Sequence, residues 1–203
     1  MKNKLVFKIT GIFLLCFLMF TTTVAQPKFG VRAGVNISNQ EFKQGDLNIQ
    51  PKTKYGLDLG FVTNFPLGEV VSFAPELHWL QKGFTIEDFH FNGLVMNGTS
   101  TLNYLELPLL IKFNFGETAK FFVMGGPSFG YLLSDKTVDD NGNEIDLGDR
   151  SNIELGAHFG AGIGVGPVII DVRYLLGITN LAKDIPDAEV HNTGFGAGIS
   201  LMF

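Results

Sequence analysis

Alternation with a period of two, the mark of a strand with two different faces, recurs along the chain from residue 26 onward. Phe29, Val31, Ala33, Val35 and Ile37 share one face of a first strand, with Arg32, Gly34 and Asn36 on the other. A second strand sets Tyr55, Leu57, Leu59 and Phe61 against Gly56, Asp58 and Gly60, and a third sets Val71, Phe73, Leu77 and Trp79 against Ser72, Ala74, Glu76, His78 and Lys82. The fourth alternates Leu105, Leu107, Leu109, Ile111, Phe113 and Phe115 with Tyr104, Glu106, Lys112 and Asn114. Residues 121–133 make a fifth strand with weaker alternation. Residues 153–165 make a sixth, whose second face is Glu154, Gly156, His158, Gly160, Gly162 and Gly164. Val168, Ile170, Val172 and Tyr174 oppose Ile169, Asp171 and Arg173 in a seventh, and Phe195, Ala197, Ile199, Leu201 and Phe203 oppose Gly194, Gly196 and Gly198 in an eighth.

The connections alternate as well: long over residues 39–54, 83–100, 134–152 and 179–193, and short between. Long loops on one rim and short turns on the other belong to an antiparallel up-and-down transmembrane β-barrel. Closing an eight-stranded all-β sheet leaves no backbone group unpaired in hydrocarbon. The apolar face then meets lipid, and the polar and glycine face lines the lumen. Phe65, Phe113, Phe115, Phe121 and Phe203 fall toward the turn side and Tyr55, Trp79 and Tyr131 toward the loop side, as two interfacial girdles would. Pro75, Pro108 and Pro127 fall inside strands that have no free edge, so bulges are expected there.

Composition adds a leader and removes several chemistries. Lys2, Lys4 and Lys8 precede an apolar run over residues 11–20, and the segment closes on Thr23, Val24 and Ala25. This reads as a signal peptide, residues 1–25, ahead of a single barrel domain, residues 26–203; the apolar run is short of the ~20 residues a spanning helix needs. Cys16, the one cysteine, lies inside that run. The mature chain then has no cysteine for a disulfide, a thiolate metal site or a nucleophile. Without the three lysines, 12 basic residues face 20 acidic ones, a net charge of −8, and no basic patch for nucleic acid is visible. The 25 glycines, against a usual share of about 7%, suit a barrel with a crowded interior.

The lumen face collects the charges. Arg32, Lys112 and Arg173, with His78 and His158, would stand against Asp58, Glu76, Glu106, Glu154 and Asp171. An eight-stranded interior is just wide enough for side chains to fill, and buried charges must pair, so a structural plug of ion pairs is expected. Other motifs dissolve on their period. Gly126-Pro127-Ser128-Phe129-Gly130 fits the G-x-S-x-G elbow of serine hydrolases, with Asp184 and His191 following in hydrolase order, yet Tyr131-Leu132-Leu133 continues a strand where the elbow needs a helix. The glycines of residues 160–166 repeat every second residue and mark one strand face, not a dinucleotide loop. Asp139-Asp140-Asn141-Gly142-Asn143-Glu144 suggests calcium, but Thr137 and Gly148 stand where an EF-hand needs Asp and Glu, and Asn141-Gly142 is a hairpin turn. His78, His90, His158 and His191 lack zinc-motif spacing, and no cofactor is indicated. Phe42, Leu47 and Ile49, and Phe84, Ile86, Phe89, Phe91, Leu94, Val95 and Met96, are apolar residues in loops. They mark a partner surface or strands that continue beyond the membrane.

Tyr104-Leu105-Glu106-Leu107-Pro108-Leu109-Leu110 resembles the PorT-like outer-membrane barrel family of Bacteroidetes, as do Phe73-Ala74-Pro75-Glu76-Leu77, residues 125–133 and Asp171-Val172-Arg173-Tyr174. The resemblance implies an eight-stranded barrel and makes the in-strand prolines a shared feature. Phe203 also resembles the end signal that such barrels present to the outer-membrane assembly machinery. A non-enzymatic protein of the bacterial outer membrane, acting as scaffold, docking or recognition component through its extracellular loops and in contact with lipid and a protein partner, is the expectation. An exported soluble lipocalin-like barrel holding an apolar ligand, and a hydrolase using Ser128, are the alternatives.

Overall fold

The computed structural model describes residues 26–44, 47–49, 52–91, 94–116, 119–139, 141–144, 151–181 and 188–203. The signal-peptide reading of residues 1–25 lies outside them. Strands follow in the order β1 (Lys28–Gln44), β2 (Leu47–Ile49), β3 (Lys52–Pro66), β4 (Val71–Phe91), β5 (Leu94–Phe115), β6 (Lys120–Asp139), β7 (Ile153–Val165), β8 (Val168–Gly177) and β9 (Ala188–Met202). Every neighbouring pair is antiparallel, and β1 pairs with β9 to close the sheet. The short β2 only folds back on the end of β1, so the barrel has eight strands, as the sequence pattern predicts. There is no helix among the described residues.

The alternation sorts the faces as expected. Phe61, Val172 and Ile199 point outward and are more than half exposed, while Arg32, Asp58, Glu76 and Asp171 point inward and are at most 4% exposed. The short turns lie on one rim, where Gly166 (φ 58°) and Gly116 (φ 93°) supply the left-handed backbone that a tight reversal requires. On the other rim much of what reads as loop is strand. β1 runs to Gln44, β4 and β5 form one hairpin of 21 and 22 residues, and β6 runs to Asp139. A tilted strand crosses hydrocarbon in about 9–11 residues, so the β4–β5 hairpin continues about ten residues past it. Side-chain pairs sustain this extension, with Gln81 Nε2 donating to Asn103 Oδ1 (3.1 Å) and Asn103 Nδ2 to Ser134 Oγ (2.8 Å) across β4, β5 and β6.

The prolines correct the expectation of bulges. Pairing of β3 with β4 stops after Val62↔Glu76 and resumes unshifted at Phe65↔Phe73. Between β4 and β5 it passes from Pro75↔Leu109 to His78↔Glu106, and between β5 and β6 from Pro108↔Ser128 to Ile111↔Gly125. Each proline thus opens two rungs toward the preceding strand, because its missing N–H faces that strand, and adds no residue. Thr63 Oγ1 donates to the Pro75 carbonyl (2.6 Å), which replaces one lost rung. The three openings adjoin and form one interrupted belt across β3 to β6. Register shifts occur instead toward the loop side, at residues 53–58, 86–89 and 103–104.

Candidate functional site: the ionic lumen and the loop-side rim

All ten charged or histidine residues read from the sequence as lumen-facing are buried inside the barrel. Strand alternation puts them on one face, and barrel closure brings faces from six strands within reach of each other. Two groups result.

The first centres on Glu76, Asp58 and Asp171. Arg173 donates from Nη1 to Glu76 Oε2 (2.5 Å) and from Nε to Asp171 Oδ1 (2.6 Å). Arg32 donates from Nε to Asp58 Oδ2 (2.9 Å) and from Nη1 to Asp171. Lys112 Nζ lies 3.2 Å from Glu76 Oε1 and 5.4 Å from the centre of the Phe122 ring. His78 faces a carboxylate at both ring nitrogens, Asp58 at 2.6 Å and Glu76 at 2.9 Å, so both nitrogens donate and the ring serves as a cation.

In the second group Lys82 Nζ is shared between Glu106 Oε2 (3.1 Å) and Glu154 Oε1 (3.0 Å), with the Tyr104 ring beneath it at 5.0 Å. His158 Nε2 pairs with Glu106 Oε1 (2.8 Å). Asn192 donates to Glu154 Oε2 and Gln40 to Asn192 Oδ1, each at 2.8 Å. Lys82 stood on the lumen face in the sequence but outside the expected network; the signal was its even spacing from Glu76 and His78. Four lysines and arginines plus the His78 cation balance five carboxylates. Charge neutrality of this kind is what a low-dielectric interior demands of ions it cannot hydrate.

Apolar residues lie on either side of this charge. Toward the turns Ala74, Leu110, Phe122 and Met124 pack into a core cluster with Ile169 against it. Phe122 and Met124 explain the weak alternation of residues 121–133, because both faces of β6 are apolar there. Toward the loops four inward columns carry a buried apolar residue, Phe84 beyond Lys82, Leu102 beyond Glu106, Leu175 beyond Arg173 and Val190 beyond Asn192, while the column of β1 continues past Arg32 with buried Asn36, Ser38 and Gln40. Leu181, 2% exposed, tucks in from the β8–β9 connection, its N–H donating to the Val190 carbonyl (2.9 Å).

The alternatives meet this geometry badly. A soluble barrel for an apolar ligand needs its Leu, Ile and Phe faces inside, and here they point out while the charges fill the interior. Ser128 is a buried lumen residue in the middle of β6, opposite Pro108 and Gly156. The strand runs straight through it to Asp139, with no turn into a helix, and Asp184 lies outside the described residues. Asp139 spends its carboxylate within its own turn, Oδ1 accepting from the backbone of Asn141 (2.9 Å) and Asn143 (2.7 Å) and Oδ2 from the Asn143 amide (2.9 Å). Those bonds hold its carboxyl below the usual range. Glu144 is likewise lowered, by Lys136 at 2.6 Å. Of the apolar loop residues, Phe84 is buried in the barrel mouth and Ile86 is half-buried, while the side chains of Phe42, Leu47, Ile49, Phe89, Phe91, Leu94, Val95 and Met96 lie outside the described residues.

Residues 24–183 match the family described as outer membrane protein beta-barrel domain. Among solved structures, the outer membrane protein OprG from Pseudomonas aeruginosa matches with a TM-score of 0.51 at 8% identity, over 87% of this chain and 95% of that one. The attachment invasion locus protein Ail of Yersinia pestis matches with a TM-score of 0.42 at 16% identity, over 87% and 100%. Neisserial surface protein A matches with 0.44 at 14%, over 86% and 97%. The likeness to OprG is one of fold. No curated protein sequence matches the chain.

Proposed function

The chain belongs to the outer membrane protein beta-barrel domain family, and we propose that this member is a non-enzymatic membrane anchor whose working surface is its loop-side rim. The observation that carries the reading is the contrast between the two parts of the barrel. The lumen is filled with mutually paired ions between apolar residues, an arrangement that leaves solutes no hydrated path. The β4–β5 hairpin, by contrast, continues about ten residues beyond what hydrocarbon requires. Material spent there serves contact outside the membrane.

On this reading residues 1–25 are a signal peptide cleaved near Ala25. The assembly machinery takes up the chain by its last strand, ending at Phe203, and lipid covers the outward Leu, Ile and Phe. The kinship to PorT-like barrels of Bacteroidetes belongs to the same proposal. A protein partner meets the rim, and the ten lumen residues from Arg32 to Arg173 keep the barrel closed without taking part in recognition.

The test compares the intact protein with a variant in which residues 87–97 are replaced by a two-residue Asn-Gly turn, which joins the paired residues Ile86 and Gly98. Both should show the heat-dependent gel shift of a closed barrel and no stepwise conductance in planar bilayers. Surface crosslinking on whole cells should yield a discrete adduct with the intact protein only. Stepwise conductance by the intact protein, or an unchanged adduct with the shortened hairpin, refutes the proposal.

A further inference from the structure

Gln81, Asn103 and Ser134 form one row on the outside of the barrel. Gln81 pairs with Asn103 and Asn103 with Ser134 across β4, β5 and β6. Their chain neighbours Leu80, Lys82, Leu102 and Tyr104 are buried in the lumen, so Gln81 and Asn103 point outward, and Ser134 is exposed beside them. The next outward row toward the turns is Trp79, Leu105 and Tyr131, again in direct register. Trp79 and Tyr131 are loop-side aromatics of the kind that sit at headgroup level. The amide row stands two residues farther along the strands, about 7 Å, and so lies within the headgroup layer.

Hydrogen bonds give the row a direction. The Leu57 backbone N–H can only donate, and it donates to Gln81 Oε1 at 3.2 Å. That fixes the Gln81 amide, whose Nε2 donates to Asn103 Oδ1 (3.1 Å). Asn103 is fixed in turn, and its Nδ2 donates to Ser134 Oγ (2.8 Å). Each oxygen of the row thus already accepts a proton. What remains is one hydrogen on each amide nitrogen and the proton of the Ser134 hydroxyl. None of these has an acceptor among the described residues. Lys136 stands two residues beyond Ser134 on the same face of β6, opposite Thr101. Its side chain is 60% exposed and brings positive charge beside the row, shared with Glu144.

We propose that this row binds the phosphate of a lipid headgroup in the loop-side leaflet. Free protons call for a ligand that accepts, and a phosphodiester offers anionic oxygens, whereas a metal cation or an alkylammonium headgroup has nothing to accept with. Asn103 Nδ2 and Ser134 Oγ are 2.8 Å apart, so one phosphate group can take a hydrogen from each. The acyl chains of the same lipid continue down over Trp79, Leu105 and Tyr131, and headgroup and tails meet one continuous strip of wall. A lipid held there ties β4, β5 and β6 together where the long hairpin leaves the membrane.

The test uses isotope-labelled full-length protein in dodecyl maltoside, whose head carries no phosphate. On titration with dimyristoylphosphatidylglycerol the side-chain amide signals of Gln81 and Asn103 should shift and saturate. Dimyristoylglycerol, with the same chains and no phosphate, should leave them in place, and inorganic phosphate should move them far more weakly than the lipid does. Ser134→Ala should keep the heat-dependent gel shift and weaken phosphatidylglycerol binding about tenfold, the loss of one charge-assisted hydrogen bond. Signals that stay in place with phosphatidylglycerol, or move as far with the diacylglycerol, overturn the proposal, as does a Ser134→Ala protein that binds like the parent. Inorganic phosphate that binds as tightly as the lipid would make the row a site for a free anion and overturn the lipid assignment.

Discussion

Lys82 is the lumen residue whose loss should cost most for the least change in shape. Lys82→Met keeps the aliphatic stem over Tyr104 and removes only the ammonium that Glu106 and Glu154 share at 3.1 and 3.0 Å. At an effective dielectric near 20, each such contact contributes about 5 kcal/mol before desolvation. Burying the ammonium costs several kcal/mol of that, so the net loss on breaking the site is about 3–5 kcal/mol, most of it the penalty of two stranded carboxylates. Both carboxylates are at most 3% exposed, and hydration does not rescue them without opening the barrel. Adding Glu154→Gln should recover much of the loss, since Glu106 still has His158 at 2.8 Å and Asn192 can donate to the glutamine oxygen. The assay is urea unfolding of protein refolded into lipid vesicles, followed by the fluorescence of Trp79, the one tryptophan. Lys82→Met should lower the midpoint by roughly 1–2 M, and the double variant should lie between it and the parent. A single variant within about 1 kcal/mol of the parent, or a double variant worse than the single, would refute the account of the lumen as a paired and balanced ionic core.

Gly198→Leu should displace the Arg32 guanidinium and lower the urea midpoint, whereas Gly68→Ala, at a turn with nothing within 4 Å of the added methyl, should leave it unchanged. Phe122→Ala should cost about 3 kcal/mol in the same experiment by emptying the apolar floor beside Lys112; a near-neutral result would mean that the floor is not packed. In micelles, amide exchange at Thr63, Glu76 and Leu109, which stand opposite Pro75, Pro108 and Pro127 and face residues that return no hydrogen bond, should outpace that of the same strands a few residues to either side. Uniform protection would refute the belt. The Asp139 turn, whose carboxyl is held low by its hydrogen bonds, should keep its backbone shifts at neutral pH and lose them only as the pH falls below the usual carboxylate range; loosening near pH 6 would contradict that order.

What the sequence determined by itself is whatever depends on the period of two. Side-chain direction alternates along the unshifted stretches of each strand, so the outward set from Phe29 to Phe203 and the inward set from Arg32 to Gly198 follow from counting, as does the alternation of short and long connections. Closure into eight strands follows too, since no edge can stay open in lipid. What tertiary structure alone decided is who meets whom across the lumen. Arg32 and Asp171 are 139 residues apart and become partners only because β1 closes against β9 and β8 adjoins it. Lys82 had the right parity, but its two carboxylates lie on β5 and β7, and their convergence depends on the register between strands. The prolines show the same limit from the other side. Residue type marks where a donor is missing, yet whether the ladder bulges or merely skips two rungs depends on whether the neighbouring strands hold their register, which is a property of the closed sheet.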